Sequence, residues 1–356
     1  MINLNDVKIV HVEASSRCNS RCPMCSRFTA DGFVQPNLNE LDLSTELFFK
    51  LFTKEFTSQL DHVYFSGVYG DPCLNKNLPI FVNYLIDNGC KSVSIDTNGG
   101  YRNEVWWGSL ARPNVLINFA VDGTDNETLG KYRIGVLYDK VYANMKAYVS
   151  AGGNAQWNFI VFKHNEHQVE TAKQLASSIG VSFRLKVTQK FNGRKNYKVM
   201  KDGKQLDILE PPVQESFRHP NIGTVEHIPI SIFKYKDYSK LSNLNFNKIH
   251  CKIQQRKEIY LSSIGLLLPC CYLGTYTHDS PGPVQFVNTY NLDNFNLNKL
   301  SVIEIIENFK PISSKWDKTI DEGNLIVCLR TCGSKENTTL YYDNNLKKEN
   351  ILLKNE

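Results

Sequence analysis

The sequence predicts an α/β fold: a parallel sheet of six strands curved into an open, partial (β/α)6 barrel, followed by a smaller C-terminal unit. Strand-like apolar runs fall near 8–14, 62–67, 91–97, 114–121, 155–163 and 182–188. Helical patterns fill the gaps near 44–57, 77–88, 101–110, 136–151 and 166–179, and Gly89 and Gly180 stand where C-terminal helix caps belong. Strict alternation of this kind builds a parallel sheet with crossover helices. The count stops at six, two units short of a closed eight-stranded barrel.

At 356 residues the chain exceeds one average domain, which agrees with a large domain plus a smaller one. With 42% hydrophobic and 22% charged residues it reads as soluble and globular. No apolar run is long enough to span a membrane, and the polar start Met1–Asp6 is no signal peptide. Ten cysteines without an export signal predict metal ligation rather than disulfides, in a reducing cytoplasm. A net charge of +5 is too modest to argue for a nucleic-acid partner.

Directly after the first strand comes Cys18-Asn19-Ser20-Arg21-Cys22-Pro23-Met24-Cys25, a C-x3-C-x2-C array. A short loop with this spacing can converge three thiolates on one iron–sulfur cube, leaving the fourth iron without a protein ligand. Zinc loops instead use paired knuckles or Cys/His pairs, and no fourth such residue follows nearby. Along the strands, side chains at every second position share a face. One face collects Val10, Val12, Val63, Phe65, Val93, Ile95, Val115, Ile117, Phe119, Trp157, Phe159 and Val161. The other collects His11, Glu13, Tyr64, Ser66, Ser94, Asp96, Asn98, Asn118, Asp122, Gln156, Asn158, Arg184 and Lys186. The apolar set is expected under the helices. The polar set is expected to line a wet concave cavity, with His11, Glu13, Arg184 and Lys186 as candidate substrate contacts.

The cysteine array, with bulky Met24 before its last member, resembles the signature of the radical S-adenosylmethionine (radical SAM) enzymes. Their characteristic fold is a six-stranded partial barrel with the cysteine loop after strand one. Further loops carry the likeness. Tyr69-Gly70-Asp71 is similar to the Gly-Gly-Glu-type motif that receives the methionine amino group. Thr97-Asn98-Gly99 is similar to the Thr-Asn-Gly loop, and Asp122 ends strand four. Relatives often carry a serine two residues before that aspartate; Ala120 stands here, which removes a hydroxyl contact to the cofactor ribose. Arg133 occupies the place of an arginine on the methionine carboxylate. The resemblance thus implies Met24, Tyr69, Gly70, Asp71, Asn98, Asp122 and Arg133 around S-adenosylmethionine. A [4Fe-4S] cluster on Cys18, Cys22 and Cys25 is then reduced, and a 5′-deoxyadenosyl radical abstracts hydrogen from substrate.

Beyond strand six, residues 190–204 carry six Lys/Arg and one Asp, a local +5. Tyr197–Leu209 reads as a hairpin turning at Asp202-Gly203, and an irregular bridge runs from Pro211-Pro212 to about 250. The basic stretch is expected to attract an anionic substrate toward Arg184 and Lys186. Cys251 and Cys270 follow in a C-x13-G-x4-C spacing, with a hairpin of Glu258–Leu261 and Leu266–Pro269 between them; Cys328 and Cys332 form C-x3-C. This arrangement resembles the SPASM and Twitch auxiliary-cluster extensions. Five cysteines allow one auxiliary iron–sulfur cluster, a [4Fe-4S] on Cys251, Cys270, Cys328 and Cys332, with Cys271 as rival ligand. Cys73 and Cys90 read as ordinary thiols. The domains are then 1–189, the barrel; 190–250, hairpin and bridge; 251–340, the Twitch/SPASM-like domain; and 341–356, a polar mobile tail. The function implied is oxidation or epimerisation of a small polar, anionic molecule, with a flavodoxin or ferredoxin as electron donor. The alternatives are a peptide-modifying maturase and a non-catalytic iron–sulfur electron carrier.

Overall fold

The computed structural model describes residues 3–188, 191, 195–218, 248–274, 281–318 and 322–334. Six parallel strands form its centre: β1 (Ile9–Val12), β2 (His62–Phe65), β3 (Val93–Thr97), β4 (Val115–Ala120), β5 (Asn154–Ile160) and β6 (Ser182–Lys186). Their register places Val10, Val63, Val93 and Val115 in one row and Val12, Phe65, Ile95 and Ile117 in another. The whole predicted apolar set is buried against the helices. The opposite face is the polar one, as the alternation requires.

The helices follow local capping chemistry. The predicted helix over 44–57 is two, α1 (Thr45–Leu51) and α2 (Lys54–Ser58). Thr53 adopts extended backbone and its hydroxyl accepts from the Phe56 N–H, so it starts a new helix instead of continuing the old one. α3 (Leu78–Asp87), α4 (Glu104–Ser109), α6 (Tyr138–Ser150) and α7 (Val169–Ser178) match expectation within a few residues. Sequence reading missed α5 (Asn126–Tyr132), a seven-residue helix capped by Asp125 that buries only Leu129 and Tyr132. Its apolar signal is too short to show a period.

After β6 the hairpin β7 (Tyr197–Lys201) and β8 (Lys204–Leu209) forms as predicted, turning through Asp202 at φ 48° and Gly203 at φ 80°. Its location differs from expectation. Tyr197 donates to the Pro23 carbonyl at 3.0 Å, the Gly203 N–H donates to the Asp31 carbonyl at 2.9 Å, and Arg21 pairs with Asp202 at 3.5 Å. Val199 and Leu209 bury against Met24, Tyr132, Phe162 and Phe191. The hairpin thus covers the cysteine loop.

β9 (Lys248–Ile249), α8 (Lys252–Gln255), β10 (Glu258–Leu261) and β11 (Leu267–Leu268) follow. β10 and β11 form the predicted antiparallel hairpin, but β10 also pairs in parallel with β1, Val10 against Ile259 and His11 against Tyr260. All four β10 residues are buried, which suits a strand covered on both faces. The sheet therefore has eight strands in the order β11-β10-β1-β2-β3-β4-β5-β6. The chain continues through α9 (Pro281–Thr289), α10 (Val302–Glu307), α11 (Lys310–Ser313), α12 (Ile326–Cys332) and β12 (Gly333–Ser334), which pairs with β9. Most of the predicted bridge and all of the predicted tail lie outside the described residues. No helix among those described is long and apolar enough to cross a membrane.

Candidate active site and metal centres

Cys18, Cys22 and Cys25 sit on the loop leaving β1, all free thiols and all partly exposed. Asn98, at the end of β3, ties this loop down by donating to the Asn19 side-chain oxygen at 2.9 Å and facing the Cys18 sulfur at 3.8 Å. The Arg133 guanidinium points at the Cys22 sulfur from 3.5 Å. Arg27, almost fully buried two residues past the last cysteine, donates to the Ser16 carbonyl and pairs with Glu40, while its charge acts on Cys18 and Cys25. Sequence reading missed Arg27. A charged residue directly after a metal loop was the available signal. Burial pushes the Cys18 thiol up to about 12, and the Asp71 carboxylate adds to it, so a lone thiolate there is costly. Two guanidinium groups facing three thiols provide the compensating charge that an anionic cluster needs. Among the described residues no three His, Cys, Asp or Glu side chains converge as tightly as one metal ion requires. The Cys18 thiol feels Cys22 and Cys25 electrostatically, and a polynuclear cube takes one thiolate at each of several corners.

The loops around the cysteines are braced by residues that the sequence assigned to the cofactor. Asp71 is buried, and its oxygens accept from the Thr97 hydroxyl at 2.9 Å, the Asn98 N–H at 2.8 Å and the Cys73 N–H at 3.0 Å. It locks the ends of β2 and β3 together, so its carboxylate is committed before any ammonium group arrives. At Gly70 a Cβ would lie 2.1 Å from the Ser15 carbonyl oxygen, so only glycine allows this loop to meet the cysteine loop. Asp122 is likewise committed: it accepts from the Ile160 N–H at 2.6 Å and from Arg133 Nε at 2.6 Å, and so aims the guanidinium. Met24 is packed in the apolar cluster beneath the hairpin. Tyr69 is buried, and its N–H donates to Glu13 at 2.8 Å.

The candidate substrate residues separate into two places. Glu13 also accepts from Tyr260 and Ser263, and it borders a cleft shared with Tyr69, Gln35, Asn39 and Ser262. There it joins the barrel to the C-terminal hairpin. His11, Arg184 and Lys186 lie on the concave wall with Asp96, which acts electrostatically on all three. His11 donates from Nε2 to the Ser66 carbonyl at 2.6 Å and stacks on Tyr64 with ring centroids 4.3 Å apart. Its Nδ1 is buried without a partner. Burial pulls its pKa down to about 4, so the ring is neutral near pH 7. Tyr64 donates to Glu258 at 2.5 Å. Glu258 and Tyr260 were missed as wall residues because only the parallel pairing of β10 with β1 brings them there. Lys186 also lies within electrostatic reach of Arg133 and Asp122, which connects the wall to the cysteine loop.

The four predicted auxiliary cysteines come together. Pairing of β12 with β9 brings Cys332 beside Cys251, and α12 carries Cys328 and Cys332 one turn apart. Cys251 and Cys332 share a sulfur hydrogen bond, and both Cys270 and Cys332 act on Cys328. Cys271 faces Glu258 and Lys252 as well as its neighbour Cys270. Cys73 and Cys90 are buried free thiols.

The Radical SAM superfamily model matches residues 12–176. A curated relative from Pyrococcus furiosus, a tungsten-containing aldehyde ferredoxin oxidoreductase cofactor-modifying protein, is 24% identical over 341 residues, 93% of this chain and 88% of that one. Among solved structures, Streptococcus suis SuiB bound to the precursor peptide SuiA aligns with TM-score 0.49 and 13% identity over 84% of this chain; the chain spans 66% of SuiB's length. The enzyme anSMEcpe with bound AdoMet aligns with TM-score 0.49 and 15% identity, covering 93% of this chain and 88% of that one. BtrN in complex with AdoMet and 2-DOIA aligns with TM-score 0.45 and 15% identity over 96% of this chain and 98% of that one.

Proposed function

Residues 12–176 make this chain a member of the radical SAM superfamily, an enzyme family, and on that premise we propose that it abstracts hydrogen from an anionic small molecule held on the concave wall. One observation carries the substrate class. Arg184 and Lys186 are half-buried cations on that wall, and among the described residues neither has an ion pair or a hydrogen bond. Removing charge from water without a partner is unfavourable, so the wall is built for an anion that arrives from outside. Arginine grips two oxygens of a phosphate or carboxylate at once, and lysine adds a point charge.

When bound, the cluster and S-adenosylmethionine together supply hydrogen-atom abstraction. The chain's own part is positioning. Cys18, Cys22 and Cys25 hold the cluster, with Arg27 and Arg133 balancing its charge. The 67–71 loop and Asn98 shape the cofactor seat, and Asp122 fixes Arg133 for a carboxylate. The side chains of Arg184 and Lys186 orient the substrate beside that seat. We assign Cys251, Cys270, Cys328 and Cys332 to a second cluster, with Cys271 outside it. The cofactor-modifying relative supports a small polar substrate over a peptide.

The test is anaerobic incubation of reconstituted, reduced protein with S-adenosylmethionine and deuterated phosphorylated, carboxylated or peptide candidates. Deuterium appearing in 5′-deoxyadenosine from an anionic small molecule is the expected result. Transfer only from peptides supports the maturase reading. No 5′-deoxyadenosine from fully loaded protein identifies an electron carrier.

A further inference from the structure

The concave wall carries charges of both signs that do not pair. Asp96 on β3, Asn118 on β4, Gln156 on β5 and Ser182 on β6 form one row of the register, and Asn158 and Arg184 share the next row on the same face. Asp96 and Arg184 are thus three strands apart, roughly 14 Å along the sheet at the usual strand spacing, a span that curvature shortens. Each feels the other's charge, yet among the described residues no ion pair joins Asp96 to Arg184 or Lys186. Among the described residues Asn118 donates to Asp96 at 2.8 Å, and Asp96 is exposed.

The wall therefore has cationic groups on β6 and an anionic group on β3. A purely anionic ligand would satisfy the first and leave Asp96 facing a further negative charge. A neutral hydroxyl would leave the carboxylate uncompensated.

Resting on the anion reading above, the geometry points to a dipolar substrate. Its phosphate or carboxylate lies against Arg184 and Lys186, and its amino group against Asp96. Asp96 is the residue that selects amino over hydroxyl compounds of the same size.

Calorimetric titration of the reconstituted full chain with S-adenosylmethionine present tests this, using glucosamine 6-phosphate, glucose 6-phosphate, glucosamine and inorganic phosphate. Glucosamine 6-phosphate is expected to bind about tenfold more tightly than glucose 6-phosphate, the scale of one charge-assisted hydrogen bond. Asp96→Asn is expected to bring those two within about twofold while inorganic phosphate binds as before; Asp96→Ser is the second variant if the amide disturbs Asn118. Arg184→Gln is expected to weaken all three phosphorylated probes about tenfold. Equal binding of the two sugar phosphates to the wild type, or a preference that survives both Asp96 variants, overturns the dipolar assignment and leaves the anion reading standing. If no phosphorylated probe binds more tightly than glucosamine, both fall.

Discussion

The Asp71 oxygens accept from the Thr97 hydroxyl and from the Asn98 and Cys73 N–H groups, all out of water. Asp71→Asn keeps one acceptor oxygen and turns an NH2 group toward donors. We expect unfolding free energy to fall by about 2–4 kcal/mol, since several buried donors lose their partner; urea denaturation measures it, and an unchanged midpoint contradicts the bracing role. His11 gives a second prediction at this scale. Burial lowers its pKa from the ordinary 6.5 to about 4, despite the raising effect of its Ser66 contact. Between those values the unfolded chain binds the proton that the folded chain refuses. The stability is fully present above pH 6.5 and is lost as pH falls toward 4, by about 3 kcal/mol. His164, also lowered to about 4 by burial, acts in the same sense. His11→Phe is expected to flatten part of this decline, read from unfolding free energies at pH 7.5 and pH 5, while lowering the plateau by losing the Ser66 hydrogen bond.

One of the contacts that seat the hairpin β7–β8 beside the cysteine loop is made at a glycine. Gly32 has φ +80°, and a Cβ there would lie 2.2 Å from the Met200 carbonyl oxygen. Gly32→Ala adds left-handed strain to a backbone clash, an expected cost of about 1–3 kcal/mol concentrated at this dock. Lys198, Lys201 and Lys204 are exposed on the hairpin, so tryptic cleavage there reads its opening. Cleavage about tenfold faster than in the wild type is expected, because susceptibility tracks the open population. An unchanged rate means that the Val199 and Leu209 packing holds the hairpin without the glycine. Strand β10 is the second instructive element. Its alternation reads as an ordinary hairpin strand, and only its pairing with β1 makes it a wall of the cavity.

Across the whole molecule, seven of the ten cysteines fall into two groups, one set by a short loop and the other assembled from distant segments. Anaerobic reconstitution is expected to load about eight irons, and replacing Cys18, Cys22 and Cys25 together by Ala to leave about four. Cys271→Ser is expected to keep the full load, because its thiol faces Glu258 and Lys252 while the quartet meets at the β9–β12 pairing. Iron analysis of both variants decides the assignment. Full loading of the triple variant would sink it, and loss of about half the iron in Cys271→Ser would move that cysteine into the second cluster.

The sequence by itself determined what depends on local period and spacing. The C-x3-C-x2-C loop, six alternating strands and turn glycines fixed the parallel core, its polar face and the place of three cysteines on the loop leaving the first strand, because strand faces and short loops are set by neighbours in the chain. It also brought Arg184 and Lys186 to the cavity side, since both follow the two-residue period of β6. Only the tertiary structure decided which partners each side chain finds. Asp71 and Asp122 have acidic side chains suited to a cofactor, yet burial commits both to backbone and side-chain donors from other strands. The basic hairpin was legible, but its address on the cysteine loop rests on packing among Met24, Tyr132, Phe162, Val199 and Leu209, contacts that span nearly two hundred positions. Glu258 and Tyr260 entered the cavity for the same reason: a strand edge accepts whichever segment completes its hydrogen bonds and buries its apolar face, and that choice is made in space.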